Sequence, residues 1–190
     1  MPPYPDRQPM PLPLQSKGGE LRCHVFENPL TGLARDLFWN LRVEFQPVRL
    51  DNDDWYSSFA VEWMTFPFDR WRQLDGMSLA DVRQPDLVES SLYLFNEHHP
   101  AELRHLRFRE TDRAIFEVEY SAVADVNDGD GSRLFNVHGK ALVTFIGLTV
   151  GDSLARDEED AVKALGQFLL ADDLNRPMHE GTGFLFAPTT

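Results

Sequence analysis

The chain has 190 residues, of which 42% are hydrophobic and 12% aromatic, so it can bury a core and is not a wholly disordered protein. Its 31 acidic residues outnumber 18 basic ones, the formal net charge is −13, and both halves of the chain are acidic. This charge argues against binding to nucleic acid or to an anionic membrane, and it favours a basic protein as partner.

The N-terminal segment, residues 1–19, holds six of the thirteen prolines and ends at Lys17-Gly18-Gly19. Proline and glycine at this density favour extended or irregular backbone, so we expect a flexible tail. Residues 20–188 are predicted to form a single α+β domain. A docking role for the short PPYP sequence stays open.

The compartment is indicated by two features. The segment after Met1 has no basic start and its apolar runs are broken by prolines, which is unlike a secretory signal. Cys23 is the only cysteine, so an intrachain disulfide is excluded, and a single thiol fits a reducing cytoplasm. Because Cys23 alternates with Leu21 and Val25, we expect it on the buried face of a strand and not as a nucleophile.

The first strong strand signal is the alternation of apolar and polar residues over 37–46. A turn-forming stretch, LDNDD, follows, and in the next segment Trp55, Phe59, Val61 and Trp63 are expected on one face. We therefore predict an antiparallel hairpin. The register that matches both apolar faces and charges pairs Phe45 with Phe59, Val43 with Val61 and Arg42 with Glu62.

The middle of the chain changes character at residues 67–87, which lack alternation. They predict short helical turns at 69–74 and 78–83, ended by Gly76 and Pro85. Strand patterns then resume at 90–95, 103–110, 113–124 and 134–148, with short linkers between them. The fold class predicted is α+β, with a mainly antiparallel sheet of about six to seven meandering strands and a C-terminal helix packed on it.

Cross-strand charges suggest a register for these later strands. One hairpin pairs Phe108 with Phe116, Leu106 with Val118, Arg107 with Glu117 and His105 with Glu119. The next pairs Tyr120 with Gly139, Val118 with Ala141, Glu119 with Lys140 and Ser121 with His138. A polar row, His105–Glu119–Lys140, would then cross three strands on the outer face.

Three histidines occur in the segment NEHHPAELRH, residues 96–105. Adjacent His98 and His99 point to opposite sides of an extended chain, and Pro100 favours a loop, so we predict a solvent-facing turn. The segment DVNDGDGS, residues 125–132, lacks the final glutamate of a calcium loop and predicts a wide hairpin turn. No metal and no cofactor is expected, since no phosphate-binding glycine motif occurs either.

The predicted register also brings Ser121, His138 and Glu119 together. A hydrolase triad needs an exposed nucleophile on a sharp turn, an oxyanion hole and a carboxylate on the far side of the imidazole. Ser121 lies in the middle of a strand, and no GxSxG motif is present. We therefore expect no catalytic residues here.

The last element predicted is a helix beginning near residues 152–157. Its apolar stripe comprises Ala161, Val162, Leu165, Phe168 and Leu169, and its first turn is acidic, as the helix dipole favours. Nearby acids face only Arg156 and Lys163 in the sequence. This predicts a partner-binding surface made of Asp157, Glu158, Glu159, Asp160, Asp172 and Asp173, with the turn Asp51–Asp54 as the next choice.

Small size, acidity and the absence of a catalytic motif favour a protein that binds and inhibits another protein. In this general profile the chain resembles the acidic immunity proteins that bacteria keep against secreted antibacterial toxins, including type VI effectors. That resemblance implies a cytoplasmic inhibitor of a basic toxin. Two alternatives remain: a sheet enclosing an apolar ligand lined by Trp39, Trp55, Trp63 or Trp71, and an enzyme whose residues are dispersed. Self-association is also left open.

Overall fold

The computed structural model describes residues 8–50, 53–94, 97–127 and 131–189. Within these ranges the chain forms strands, three short 3-10 turns and one α-helix. The strands are β1 (Met10–Pro11), β2 (Ser16–Asn28), β3 (Leu33–Phe45), β4 (Val48–Leu50), β5 (Asp53–Trp55), β6 (Ser58–Met64), β7 (Glu89–Leu94), β8 (Glu97–Asp112), β9 (Ile115–Asn127), β10 (Ser132–Gly151), β11 (Met178–Glu180) and β12 (Gly183–Phe186). The helix α1 spans Glu158–Leu165, and the turns are Trp71–Leu74, Leu79–Asp81 and Pro85–Leu87.

Seven strands form a closed sheet in the order β10-β2-β3-β6-β7-β8-β9, because β9 also pairs with β10. All these pairings are antiparallel except that of β10 with β2. Including β1, β11 and β12, the sheet has ten strands, more than the six to seven predicted. The additional strands have two to four residues, too few for alternation to reveal them. The mainly antiparallel α+β class is confirmed.

The interior of the closed sheet is filled by apolar side chains. The rings of Phe59 and Tyr120 stack with their centroids 5.3 Å apart. At one end Trp71, from the first 3-10 turn, packs 5.0 Å from Phe145 and closes the core. Cys23 is 1% exposed, as the alternation predicted, and burial raises the pKa of its thiol well above its ordinary value. Such a thiol is protonated and unreactive.

The N-terminal segment joins the sheet earlier than the predicted domain boundary at residue 20. Residues Ser16–Gly19 belong to β2, and Met10–Pro11 pair in parallel with β10. Of the two glycines at 18 and 19, Gly19 is required by close packing, because a Cβ there would lie 2.2 Å from the carbonyl oxygen of Arg42. Residues 1–7 of the predicted tail lie outside the described residues.

The β3–β6 hairpin exists, but its predicted register was wrong by two residues. Val43 lies opposite Phe59 and Leu41 opposite Val61, so Arg42 faces Ala60 and, on its other side, Glu20. A two-residue slip leaves every side chain on its original face, so alternation cannot detect it. The connection decides the register, and it contains the small β4–β5 hairpin.

The β8–β9 register was also wrong by two, with Phe108 opposite Val118 and His105 opposite Ser121. The hairpin turns through Ala114, whose φ is 57°, and two irregularities interrupt the ladder. The β9–β10 register is confirmed at all four predicted pairs. The polar row therefore runs Arg107–Glu119–Lys140, and the Lys140 ammonium lies 3.6 Å from the Glu119 carboxylate.

The predicted turn at His98 and His99 was wrong, because Glu97–Ala101 belong to β8 and pair with β7. The two side chains do point to opposite sides. His99 is buried, whereas exposed His98 lies 2.7 Å (Nε2) from the Ser91 hydroxyl. Antiparallel pairing with β7 accommodates Pro100 because it lies opposite Ser91 near the end of that pairing.

The irregular segment 67–87 behaves as predicted, with 3-10 turns at Trp71–Leu74 and Leu79–Asp81. A third turn, Pro85–Leu87, begins at the proline that was expected to end the helical stretch. The predicted wide turn of the β9–β10 hairpin falls partly outside the described residues, although Asn127 and Ser132 pair at its base.

Candidate partner-binding surface

The helix α1 begins where its sequence predicts. The Asp157 carboxylate accepts a hydrogen bond of 2.9 Å from the backbone amide of Asp160 and so caps the N-terminus. Glu158, Glu159 and Asp160 occupy the first turn, and Lys163 lies in the last. Both placements complement the helix dipole, so the acidic turn has a structural role besides any partner.

The buried side of α1 differs from the predicted stripe at one position. Ala161, Ala164 and Leu165 are buried, and Leu169 follows them into the core. Val162 is 47% exposed, so its inclusion in the stripe was wrong. On a helix of 3.6 residues per turn, positions 161, 164 and 165 share one face, which leaves 162 pointing away from the sheet.

Three of the six predicted site residues pair with arginines that are distant in sequence, and a fourth pairs with an arginine four residues away. The pairs are Glu158 with Arg176 (2.5 Å), Asp160 with Arg156 (3.3 Å), Asp172 with Arg70 (3.1 Å) and Asp173 with Arg72 (3.6 Å). The expectation that only Arg156 and Lys163 face these acids was therefore wrong. The side chain of Glu159 makes no ion pair or hydrogen bond with any residue in the described ranges.

The structure splits the six acids into two groups. Asp157, Glu158 and Glu159 line an open groove of about 630 Å³ together with Val162 and Pro177, whereas Asp160, on the same helix, pairs with Arg156. Asp172 and Asp173 instead pair with Arg70 and Arg72, at the 3-10 turn Trp71–Leu74 that covers one end of the closed sheet. There the Asp173 carbonyl also accepts a hydrogen bond of 3.2 Å from the indole of Trp71. Asp172 and Asp173 therefore hold this 3-10 turn in place at the end of the closed sheet.

The groove combines apolar contact area with negative charge. Its lining consists of Asp157, Glu158, Glu159, Val162, Arg176 and Pro177. Met178, the next residue along the chain, is 65% exposed on the short strand β11. An apolar centre with a charged rim is the usual composition of a protein-protein interface. For the turn at Asp51–Asp54, the second predicted surface, residues 51 and 52 lie outside the described ranges.

The possible catalytic, metal-binding and ligand-binding residues of the sequence lie elsewhere in the fold. Ser121 and His138 are neighbours across β9 and β10, but no side-chain hydrogen bond joins them in the described structure. No group of three or more His, Cys, Asp or Glu side chains in the described ranges could hold a metal ion. Of the four tryptophans, Trp39 and Trp71 are core residues, whereas Trp55 and Trp63 are half-buried.

An outer-face cluster was missed by sequence reasoning. His24, Phe26, Phe38 and Trp63 bring their rings within 6.4 Å of one another on the outer side of β2, β3 and β6. A signal for it exists in the sequence, since residues 24, 26 and 38 are aromatic at positions where the alternation calls for polar side chains.

Comparison with family models, with curated proteins and with solved structures found no match to this chain. No helix in the described ranges is long and apolar enough to cross a membrane. Function therefore has to be inferred from the residues of this chain.

Proposed function

We propose that this protein binds a basic protein partner in the cytoplasm and neutralises it, as the acidic immunity proteins do for bacterial toxins. The observation that carries the proposal is the groove on α1, which is lined by exposed Val162 and by Glu159, whose carboxylate has no partner among the described residues. The net charge of −13 favours the same class of partner.

The acidic residues and the apolar residues of the groove would contribute differently to binding. Negative charge attracts a basic surface over a distance of about 10 Å at moderate salt and raises the association rate. Val162 and Met178, which are 47% and 65% exposed, would give the apolar contact that slows dissociation. Because the Glu159 carboxylate has no ion pair within the described part of the chain, it would meet a lysine or arginine of the partner without first breaking one there.

The test begins with the neighbouring reading frame. If it encodes a basic protein that is toxic to host cells, this chain is co-expressed with that protein and survival of the cells is scored. The double variant Glu159→Lys, Val162→Asp should lose protection, and its association rate at low salt should fall at least tenfold. Glu102→Lys, an exposed reversal on β8, is the matched control and should protect fully. Full protection by the double variant would exclude this groove.

The triple variant Glu158→Lys, Glu159→Lys, Asp160→Lys sharpens the result. It should abolish protection while costing only about 1 kcal/mol of folding free energy, through lost dipole interactions and exposed ion pairs. A thermal unfolding curve separates this effect from misfolding. A triple variant that folds and still protects would move the interface away from α1.

A second candidate is binding of a small apolar ligand, favoured by an open cleft of about 720 Å³ between β8 and the turn Pro85–Leu87. Leu103, Val123 and Leu134 contribute apolar side chains to its lining. Saturable binding of an apolar fluorescent dye that is lost in Leu103→Glu would favour this alternative. Dye binding unaffected by that change would exclude the cleft.

A further inference from the structure

The aromatic cluster on the outer face contains a chain of three hydrogen-bonding groups. The side-chain oxygen of Asn40 accepts a hydrogen bond of 3.1 Å from the backbone amide of Trp63. Its nitrogen lies 3.0 Å from Nδ1 of His24. His24 and Trp63 are themselves in ring contact, with centroids 5.6 Å apart. One asparagine thus connects an imidazole to the backbone of a tryptophan.

The first of these bonds determines the state of the imidazole. A backbone N–H can only donate, so the Asn40 oxygen must face Trp63 and its amide nitrogen must face His24. An amide nitrogen also only donates. Nδ1 of His24 therefore accepts, which requires a neutral ring with its proton on Nε2.

Trp63 depends on this arrangement because its backbone is strained. Its φ is 63°, in the left-handed region, and it lies where the β3–β6 ladder is interrupted opposite Asn40. Such a conformation costs a bulky residue about 1–3 kcal/mol and persists only when neighbouring groups hold it. The bond from Asn40 and the surrounding rings supply that restraint.

We propose that protonation of His24 is a switch that releases Trp63 from its strained position on the outer face. A proton taken from solvent onto Nδ1 turns the acceptor into a donor, which then opposes the amide nitrogen of Asn40. The amide must rotate to offer its oxygen to the imidazolium. The backbone amide of Trp63 then faces a donor, loses its bond, and the indole moves away from Phe38.

The surroundings set the direction of the titration. Burial among the rings lowers the pKa of His24 below its ordinary value of 6.5. The charged groups described on the same face include Arg22 on β2, which pairs with Glu20, Asp36 on β3, which pairs with Arg83, Arg42 on β3 and Glu62 on β6. β10 presents Thr149 opposite His24. Arg22 and Asp36 are thus already neutralised by a partner.

The lowered pKa of His24 makes the stability of the folded chain depend on pH. Below pH 6.5 the unfolded chain takes up a proton at His24 that the folded chain does not. Stability is therefore full above pH 6.5 and falls as the pH drops towards the lower folded pKa. The switch itself operates at that folded pKa, which lies below 6.5.

The test uses the whole chain labelled with 5-fluorotryptophan, with the fluorine signal of Trp63 assigned by Trp63→Phe. Between pH 7.5 and 4.5 this signal should move with one midpoint below 6.5, while those of Trp39 and Trp71 stay in place. His24→Gln should abolish the movement. His138→Gln, which removes an exposed histidine on β10, is the matched control and should leave it unchanged.

Asn40→Asp should raise the pH midpoint of the Trp63 signal. It tests the proposal independently if His24→Gln does not fold. A carboxylate accepts from the Trp63 amide and also from the imidazolium, so the midpoint should rise by about one pH unit or more. A Trp63 signal that still titrates in His24→Gln, or an unchanged midpoint in Asn40→Asp, would overturn the proposal.

Discussion

The aromatic cluster and the acidic surface of α1 both lie outside the closed sheet, yet water reaches them very differently. Phe38 is fully buried and His24 and Trp63 are half-buried, whereas the side chains of Arg156 and Arg176 are 89% and 85% exposed. Bond lengths do not show this contrast, since the Asn40–His24 contact is 3.0 Å and the Arg176–Glu158 hydrogen bond 2.7 Å. Burial decides what each contact contributes to stability.

Polar contacts of similar length therefore have different roles in the two regions. A hydrogen bond shielded from water must be replaced if it is broken, so the cluster can hold a strained backbone. An exposed ion pair exchanges readily with water and ions, so the acidic surface can give up its internal pairs to a partner. Four substitutions test this contrast, beginning with the largest expected effect.

Phe38→Ala should lower the free energy of unfolding by about 3–5 kcal/mol, because it removes a fully buried ring from the cluster. Urea denaturation measures the loss. Val162→Ala on the acidic surface is the control and should cost less than about 1 kcal/mol. Equal losses for the two variants would contradict the contrast in burial.

Asn40→Ala should cost about 1–3 kcal/mol, because the backbone amide of strained Trp63 is left without its acceptor. Asn175→Ala removes an exposed asparagine whose side chain donates to the Pro188 carbonyl, and should cost less. Thermal unfolding of both variants under one condition makes the comparison. A smaller loss for Asn40 would mean that the rings alone hold Trp63.

Asp157→Ala should cost about 1 kcal/mol through loss of the helix cap. Asp157→Asn keeps the accepting oxygen and should recover most of that loss. Chemical denaturation of both variants distinguishes a cap from a simple charge effect. If asparagine were as destabilising as alanine, the dipole would be the larger contribution.

Arg176→Gln should change stability by no more than about 0.5 kcal/mol, because its ion pair with Glu158 is exposed. The small difference should vanish in 1 M salt, where charges are screened within about 3 Å. Denaturation at low and high salt measures it. A loss that persists at high salt would mean that Arg176 stabilises α1 by packing on Pro177.

The faces of the strands were predictable from sequence except at Trp63, which was predicted on the face of Phe59 and Val61 but lies on the outer face, because the backbone of β6 is irregular there. The strand partners were predictable only in part. The β9–β10 register followed from charge pairs such as Glu119–Lys140, and this hairpin is regular over its whole paired length. The same reasoning missed by two residues at β3–β6 and β8–β9, where ladders are interrupted. A slip of two conserves every face, so only the bulges and connections resolve it.

For the candidate surface, sequence reasoning located the helix and its acidic first turn, and the structure identified Asp157 as the capping residue. It could not supply Arg70, Arg72 and Arg176, because these side chains reach the acids only after the sheet has closed. It also placed Val162 in the core, since a stripe read from apolar residues alone does not reveal that Ala164 takes the buried position.

By itself, then, the sequence determined most of the strand faces, the buried thiol of Cys23, the α+β class and the acidity of α1, because side-chain period and composition are local properties. Tertiary structure alone decided the closure of β9 on β10, the pairing of the acids and the contact of His24 with Asn40 and Trp63. These depend on register and bulges, which bring together residues far apart in the chain.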